Sequence, residues 1–279
     1  MQRTMQCGRH DLPLPVPGTR PLVMGILNVT PDSFSDGGQF HLLDQALDHA
    51  EQMIADGVDI IDIGAESTRP GVHALPPEEE LRRLLPVLYA LRDCGKPLSV
   101  DTRNPTVMRE ALLAGADMIN DVNGFRTAGA VSTVAQSGCG LCIMHMQNDP
   151  ENMQLAPHYN DVVVEVAQFL QDAVGRLEAA GVDRARLCID PGFGFGKNLE
   201  HNLRLLKDLP RLQQKLQLPM LVGMSRKSMI GQLTGRPVAE RLAGSLAAAL
   251  AAADRGADII RVHDVAATVD ALKVRCALT

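Results

Sequence analysis

The sequence predicts a single (β/α)8 barrel with a short N-terminal arm, on three observations. Eight short apolar runs lack the polar alternation of a half-exposed sheet and so read as parallel strands covered on both faces. Each is followed by a stretch of helical periodicity, with no change of composition to mark a linker in 279 residues. At or just after each run stands a polar or charged residue: Asn28, Glu66, Asp101, Asn120, His145, Asp190, Lys227 and His263, in order. Barrels of this class carry their chemistry at that end of the strands.

Residues 1–20 carry prolines and charges without periodicity and are expected to form an edge hairpin or arm that closes the bottom of a barrel spanning residues 21–279. The strands are expected at Leu22 to Leu27, Ile60 to Ile63, Leu98 to Val100, Met118 to Ile119, Leu141 to Met144, Leu187 to Ile189, Met220 to Gly223 and Ile259 to Val262. Helices are expected at Leu42 to Asp56, Pro77 to Asp93, Pro105 to Ala114, Ala128 to Ser137, Asp161 to Ala180, Leu199 to Gln217, Val238 to Arg255 and Val265 to Leu278. Gly57, Gly95, Gly115, Gly138, Gly181 and Gly256 follow the last periodic residue of a helix, where a left-handed cap is wanted.

With six Phe, two Tyr and no Trp in a 46% hydrophobic chain, the core must be aliphatic, which suits stacked helices and parallel strands. A net charge of −6 argues against nucleic acid as the main partner and requires any anionic ligand to meet a local basic cluster. The N-terminus lacks the apolar centre of a signal peptide, and the Ala/Leu run from Leu246 to Ala253 is too short to span a bilayer, so no membrane partner and a cytoplasmic location are expected. Of the six cysteines, Cys139 and Cys142 form a C-x-x-C pair, but Cys142 falls inside a strand and no second pair completes a metal site, so free thiols are expected.

The first strand runs into Thr30-Pro31-Asp32-Ser33-Phe34-Ser35-Asp36-Gly37-Gly38, whose turn-forming residues make a long polar loop. Asp101 and Asp121 each precede a helix and have capping as an alternative to function. Asp190 does not, because Pro191 and a glycine-rich stretch follow it. That stretch, Gly192 to Lys197, is not a P-loop: three residues separate its first and last glycine where four are needed, and Asn198 stands where Ser or Thr belongs. It reads as a tight loop that carries Phe195 over a flat ligand, with Lys197 as a solvated charge. Met144 and His145 read as structural packing as readily as ligand contacts.

The segment ILNVTPDSFSDGG (Ile26 to Gly38), together with DIGAESTRPG (Asp62 to Gly71), SVDTRNP (Ser99 to Pro105), MHMQ (Met144 to Gln147), DPGFGFGKN (Asp190 to Asn198), GMSRKSMIG (Gly223 to Gly231) and RVHDV (Arg261 to Val265), resembles the dihydropteroate synthases of the pterin-binding family from about Leu22 to the C-terminus. Ala65 departs from it, standing where the family usually has a second glycine. The resemblance implies condensation of 4-aminobenzoate with 6-hydroxymethyl-7,8-dihydropterin diphosphate to give 7,8-dihydropteroate and pyrophosphate. It implies a pterin pocket of Asp101, Asn120, Met144, Asp190, Phe195, Gly223 and Lys227, in which a buried carboxylate at Asp190 grips the N-C-N edge of the ring. It further implies a diphosphate site of Asn28, Thr68, Arg69, Arg261 and His263, and an aminobenzoate site of Pro31, Phe34, Thr68, Pro70, Ser225 and Lys227. Asp101, Lys227 and Arg261 would carry the catalysis, Asn28 would contact a Mg2+ ion, and the chain would form a homodimer. Three rivals share parts of this pattern: a pterin-dependent methyltransferase, disfavoured by the TPDSFSDGG and ESTRPG loops; a lysine Schiff-base aldolase using Lys227; and a non-catalytic pterin-binding paralogue.

Overall fold

A computed structural model describes residues 3–16, 18–30, 39–66, 75–149 and 152–278. An antiparallel hairpin, β1 (Thr4–Cys7) and β2 (His10–Pro13), precedes the strands β3 (Leu22–Asn28), β4 (Ile60–Gly64), β5 (Leu98–Asp101), β6 (Met118–Asp121), β7 (Gly140–Met144), β8 (Leu187–Asp190), β9 (Leu221–Val222) and β10 (Ile259–Val262). These eight strands pair in parallel in the order β8-β7-β6-β5-β4-β3-β10-β9, and a parallel bridge between Ile189 and Met220 joins the two ends into a barrel. Around it lie α1 (Gln39–Ala55), α2 (Pro77–Leu91), α3 (Pro105–Leu113), α4 (Ala130–Ala135), α5 (Val162–Ala179), α6 (Leu199–Lys207), α7 (Leu209–Leu216), α8 (Ser228–Thr234), α9 (Leu242–Ala253) and α10 (Val265–Leu278).

Every expected strand is present. The helices depart from expectation at four places. The helix expected from Leu199 to Gln217 is two, α6 and α7, because Pro210 cannot donate to the ladder; Asp208 ends one and begins the other. The helix expected from Val238 begins at Leu242, after a 3-10 turn at Val238–Glu240. The stretch from Ala128 to Ser137 is helical only over Ala130–Ala135, preceded by Gly129 at φ 88°. The α8 turn was not expected. Gly57, Gly95, Gly115, Gly181 and Gly256 adopt the left-handed caps, whereas Gly138 does not.

In a parallel pair, residues in register point to the same side, so Met24 beside Ile60, Ile26 beside Asp62 and Asn28 beside Gly64 are successive layers of the barrel interior from floor to mouth. The floor is apolar: Met24, Ile60, Met118, Cys142, Cys188, Leu221 and Ile259 pack with Met5, Cys7, Leu12 and Leu14 of the hairpin, which plugs the barrel from below as expected. Three Gly-x-Asp turns frame that plug. The carboxylates of Asp59, Asp117 and Asp258, each one residue before a strand, accept the N–H groups of Val23 (2.7 Å), Leu98 (3.0 Å) and Met220 (2.9 Å) at the start of a neighbouring strand. Arg20, Arg9 and Arg3 of the N-terminal segment then pair with Asp59, Asp117 and Asp258 in turn. Thus the floor is tied by charge-assisted hydrogen bonds as well as by apolar burial.

Candidate active site

The inner layer at the mouth is charged. Arg261, from β10, donates from Nε to Asp62 Oδ2 on β4 at 2.7 Å and from Nη2 to Asp101 Oδ2 on β5 at 2.9 Å. Asn120, from β6, donates to the same Asp62 oxygen at 3.3 Å. The other carboxylate oxygens of Asp62 and Asp101, and the hydroxyl of Ser99 in register with Asp62, are buried without a hydrogen-bond partner among the described residues. Burial raises the Asp101 pKa to about 7 against the pull of Arg261, and Asp62, Asp121 and Glu80 push the same way as burial. For Arg261 the two carboxylates outweigh burial and hold the guanidinium firmly charged. Asp101 is therefore no helix cap: Asn104 caps α3. Asp121 does serve a local role, accepting the N–H groups of Asn123 and Phe125 at 2.7 Å each.

A second wall is built from the glycine loop after β8. Asp190 is buried, and its Oδ1 accepts the Gly192 N–H at 2.7 Å; burial pushes its carboxyl up while Lys227, that N–H and Lys197 pull it down. Gly192 has φ 71°, and a Cβ there would lie 1.8 Å from the His145 carbonyl oxygen, so only glycine lets the chain turn this close to β7. Lys197 is no solvated charge. It is 3% exposed and donates to the carbonyls of Gly192 (2.8 Å) and Phe195 (3.0 Å) and to His145 Nδ1 (2.9 Å), pinning the loop from inside. Burial drives the pKa of Lys197 and of His145 well down, and His145 packs edge-on to Phe169 at 4.9 Å. His145 is thus a structural residue.

The loop presents Phe195 beside Val122, Met144, Met146 and Met153. Above that ring, at 4.6 Å, sits the Lys227 ammonium, which donates to the Phe193 carbonyl at 2.6 Å; burial lowers its pKa to about 8. Gly223 lies against Arg261, where a Cβ would be 3.5 Å from the arginine's own. Lys227 and Arg261 both lie close enough to Asp190 to pull its carboxyl down, and Asp101 acts on Lys227, so the glycine loop and the Arg261 cluster meet at one mouth.

At the rim, the Ser225 hydroxyl oxygen accepts the His263 N–H at 3.2 Å and lies 3.0 Å from His263 Nδ1. Burial, then Arg261 and Arg226, lower the His263 pKa to about 4, so the ring is neutral at pH 7. If the Ser225 hydroxyl donates to Nδ1, the ring proton sits on Nε2. The side-chain oxygen of Asn28 is close to the end of β4, 3.6 Å from where a Gly64 Cβ would lie. Pro31, Phe34, Thr68, Arg69 and Pro70 lie outside the described residues.

Sequence reading missed Asp62, Glu80 and Lys197. An acidic residue in the run Ile60-Ile61-Asp62-Ile63 was the available signal for the first, since a buried strand tolerates a carboxylate only where something pairs with it. Among the described residues no three His, Cys, Asp or Glu side chains are placed to hold a metal ion, no helix is long and apolar enough to cross a membrane, and the six cysteines are free thiols.

Residues 24–263 match the family model described as pterin binding enzyme. The chain is 52% identical over 272 residues to the dihydropteroate synthase of Neisseria meningitidis serogroup C, covering 96% of this chain and 95% of that one. It superposes with a TM-score of 0.92 on the Xanthomonas albilineans dihydropteroate synthase solved with 4-aminobenzoic acid, at 51% identity over 100% of this chain and 98% of the other. For the Burkholderia cenocepacia dihydropteroate synthase complexed with 7,8-dihydropteroate the TM-score is 0.89, at 50% identity over 99% and 96%.

Proposed function

The chain belongs to the dihydropteroate synthases of the pterin binding enzyme family, and from that premise and the mouth geometry we propose how it works. It condenses 4-aminobenzoate with 6-hydroxymethyl-7,8-dihydropterin diphosphate to 7,8-dihydropteroate and pyrophosphate. The observation that carries this reading is the set of groups gathered at the mouth, which we read as a slot for a flat ligand: a buried Asp190 carboxylate, the Phe195 ring under Lys227, and Asn120 and Asp101 tied to Arg261 directly or through Asp62. A 2-amino-4-oxo pterin matches it, its N-C-N edge on Asp190, its flat face against Phe195 and Met144, and its remaining polar edge toward Asn120 and Lys227. Gly223, without a side chain, leaves room beside Arg261.

The pterin C–O bond breaks first, with pyrophosphate as the leaving group. Arg261 and the His263 Nε2–H, with Arg69, Thr68 and Asn28, receive its charge. The pterin-methylene cation is stabilised by the Asp101 carboxylate. The amine of 4-aminobenzoate then attacks the methylene and loses its proton. Lys227, its pKa lowered to about 8, and Ser225 orient the second substrate, a role that the family resemblance also gives to Pro31, Phe34, Thr68 and Pro70. Mg2+ fits as a cofactor shared with the diphosphate, because the Asn28 amide offers a single hard oxygen of the kind that ion takes while keeping waters and phosphate oxygens. When bound, it neutralises charge on the leaving group.

A homodimer is proposed on α8, α9 and α10 and the turn between them, where Leu233, Val238, Leu242, Val274 and Leu278 are exposed. Free thiols throughout support a cytoplasmic location. The test is product formation: pyrophosphate release that requires both substrates and yields 7,8-dihydropteroate supports the assignment. Methyl transfer to a corrinoid protein, borohydride trapping of a carbonyl substrate on Lys227, or binding without turnover would support one of the three rivals instead.

A further inference from the structure

One oxygen atom joins the two halves of the proposed substrate site. Asp62 Oδ2 accepts from Asn120, assigned above to the pterin ring, and from Arg261, assigned to the leaving group. Asp62 is 0% exposed and lies one layer below the end of β4, so it is shielded from any ligand in the slot. Arg261 has a second anchor, Asp101, but that carboxylate stands at the strand end with Oδ1 free of partners among the described residues. The bond to Asp62 is the interior, enclosed one. A buried ion pair of this kind seldom adds net stability over an apolar filling, so its place beneath two site residues calls for another reason.

We propose that Asp62 is a positioning residue that fixes the Asn120 carboxamide and the Arg261 guanidinium to one oxygen, coupling recognition of the pterin ring to recognition of the diphosphate. The proposal rests on the assignment of Asn120 and Arg261 made above. The shared oxygen is what serves here. Oδ2 accepts from both donors at once, so a side chain without an acceptor at this position leaves the Asn120 amide and the Arg261 Nε–H without the atom that ties them. With Asp62 in place, a ring seated on Asn120 settles the shared oxygen and so pre-orders Arg261 for pyrophosphate; the reverse must hold equally.

The test is calorimetry on the full chain with 6-hydroxymethylpterin and inorganic pyrophosphate, each alone and each in the presence of the other. In the native protein each ligand should strengthen binding of the other. Asp62→Ala, which removes the shared acceptor, should weaken each roughly tenfold or more, the scale on which misplacing a site group acts, and should abolish the coupling. Ser99→Ala, which alters a side chain in the same buried layer that has neither bond, should stay near native values. Native affinities and coupling in Asp62→Ala, or an equal loss in Ser99→Ala, would overturn the proposal. A native protein that binds neither ligand would instead overturn the site assignment on which it rests. Should Asp62→Ala not fold, the Arg261 Nε–H resonance of the native protein, identified with Arg261→Lys, decides: adding 6-hydroxymethylpterin should strengthen its protection from exchange, and an Nε–H that exchanges equally fast with and without the pterin would refute the coupling.

Discussion

Both ends of the barrel are built from aspartates and arginines, yet Asp117 at the floor and Asp101 at the mouth are treated oppositely. At the floor, Asp117 takes the Leu98 N–H and Arg9 together, and although burial pushes it up, those bonds hold its carboxyl below the usual value. Asp59 is likewise met by a strand N–H and an arginine. At the mouth, Asp62 and Asp101 share one guanidinium, Asp101 at the strand end keeps an oxygen without a partner among the described residues, and its pKa is raised to about 7. The same chemistry therefore closes the fold at one end and leaves valence open at the other. Groups that a ligand completes are groups that folding leaves incomplete.

The contrast can be broken in several places. The largest effect is expected at the glycine loop: Gly192→Ala puts a methyl group into the His145 carbonyl in a left-handed conformation, and should cost about 2–4 kcal/mol in urea unfolding and displace Asp190 from the slot. Next, Arg261→Lys and His263→Ala should impair use of the diphosphate substrate at least about tenfold, or about 1.4 kcal/mol. Binding of unphosphorylated hydroxymethylpterin should suffer far less in His263→Ala; equal losses would move His263 into the ring pocket.

Glu80 sharpens the account through pH. It is 2% exposed on α2, and burial raises its pKa from 4.5 to about 7, opposed by the Thr102 hydrogen bond and Arg103. The folded chain thus holds this proton more tightly than the unfolded one between those values, so this group lowers stability as pH rises through that window. Glu80→Gln should raise stability by about 1–3 kcal/mol at pH 8 and show almost no gain near pH 4.5. A pH-independent difference in thermal midpoint would contradict the assignment. The smallest effect belongs to the floor's rim: Arg9→Ala, removing a half-exposed pair with Asp117, should cost about 1 kcal/mol and leave turnover unchanged.

The barrel was legible because its signals are local. Unbroken apolar runs, left-handed glycines and a polar residue after each strand all lie within a few positions of what they determine. Pro210 was legible too, and the single long helix expected across it ignored the N–H it lacks. What escaped is non-local. Lys197 reads as surface charge until the chain folds back to place His145 and two loop carbonyls around its ammonium. Asp62 finds its partner Arg261 across 199 positions, on β4 and β10, the two strands that flank β3. The Gly-x-Asp repeat at Asp59, Asp117 and Asp258 was in plain view, and only the strand N–H groups it meets give it meaning.

The division between the two ends is tested most directly by one pair of substitutions, Asp117→Asn at the floor and Asp190→Asn at the mouth, each measured for urea unfolding and for pyrophosphate release. Asp117→Asn should lose about 1–3 kcal/mol of stability, because the carboxylate accepts on both oxygens, from Arg9 at Oδ1 and from the Leu98 N–H and Arg9 at Oδ2, and an amide accepts on only one, and should keep its turnover wherever it is folded. Asp190→Asn should stay within about 1 kcal/mol of native stability, since one amide oxygen still serves the Gly192 N–H, and should lose pyrophosphate release severely. A folded Asp117→Asn that is inactive, or an Asp190→Asn that turns over normally, would contradict the account.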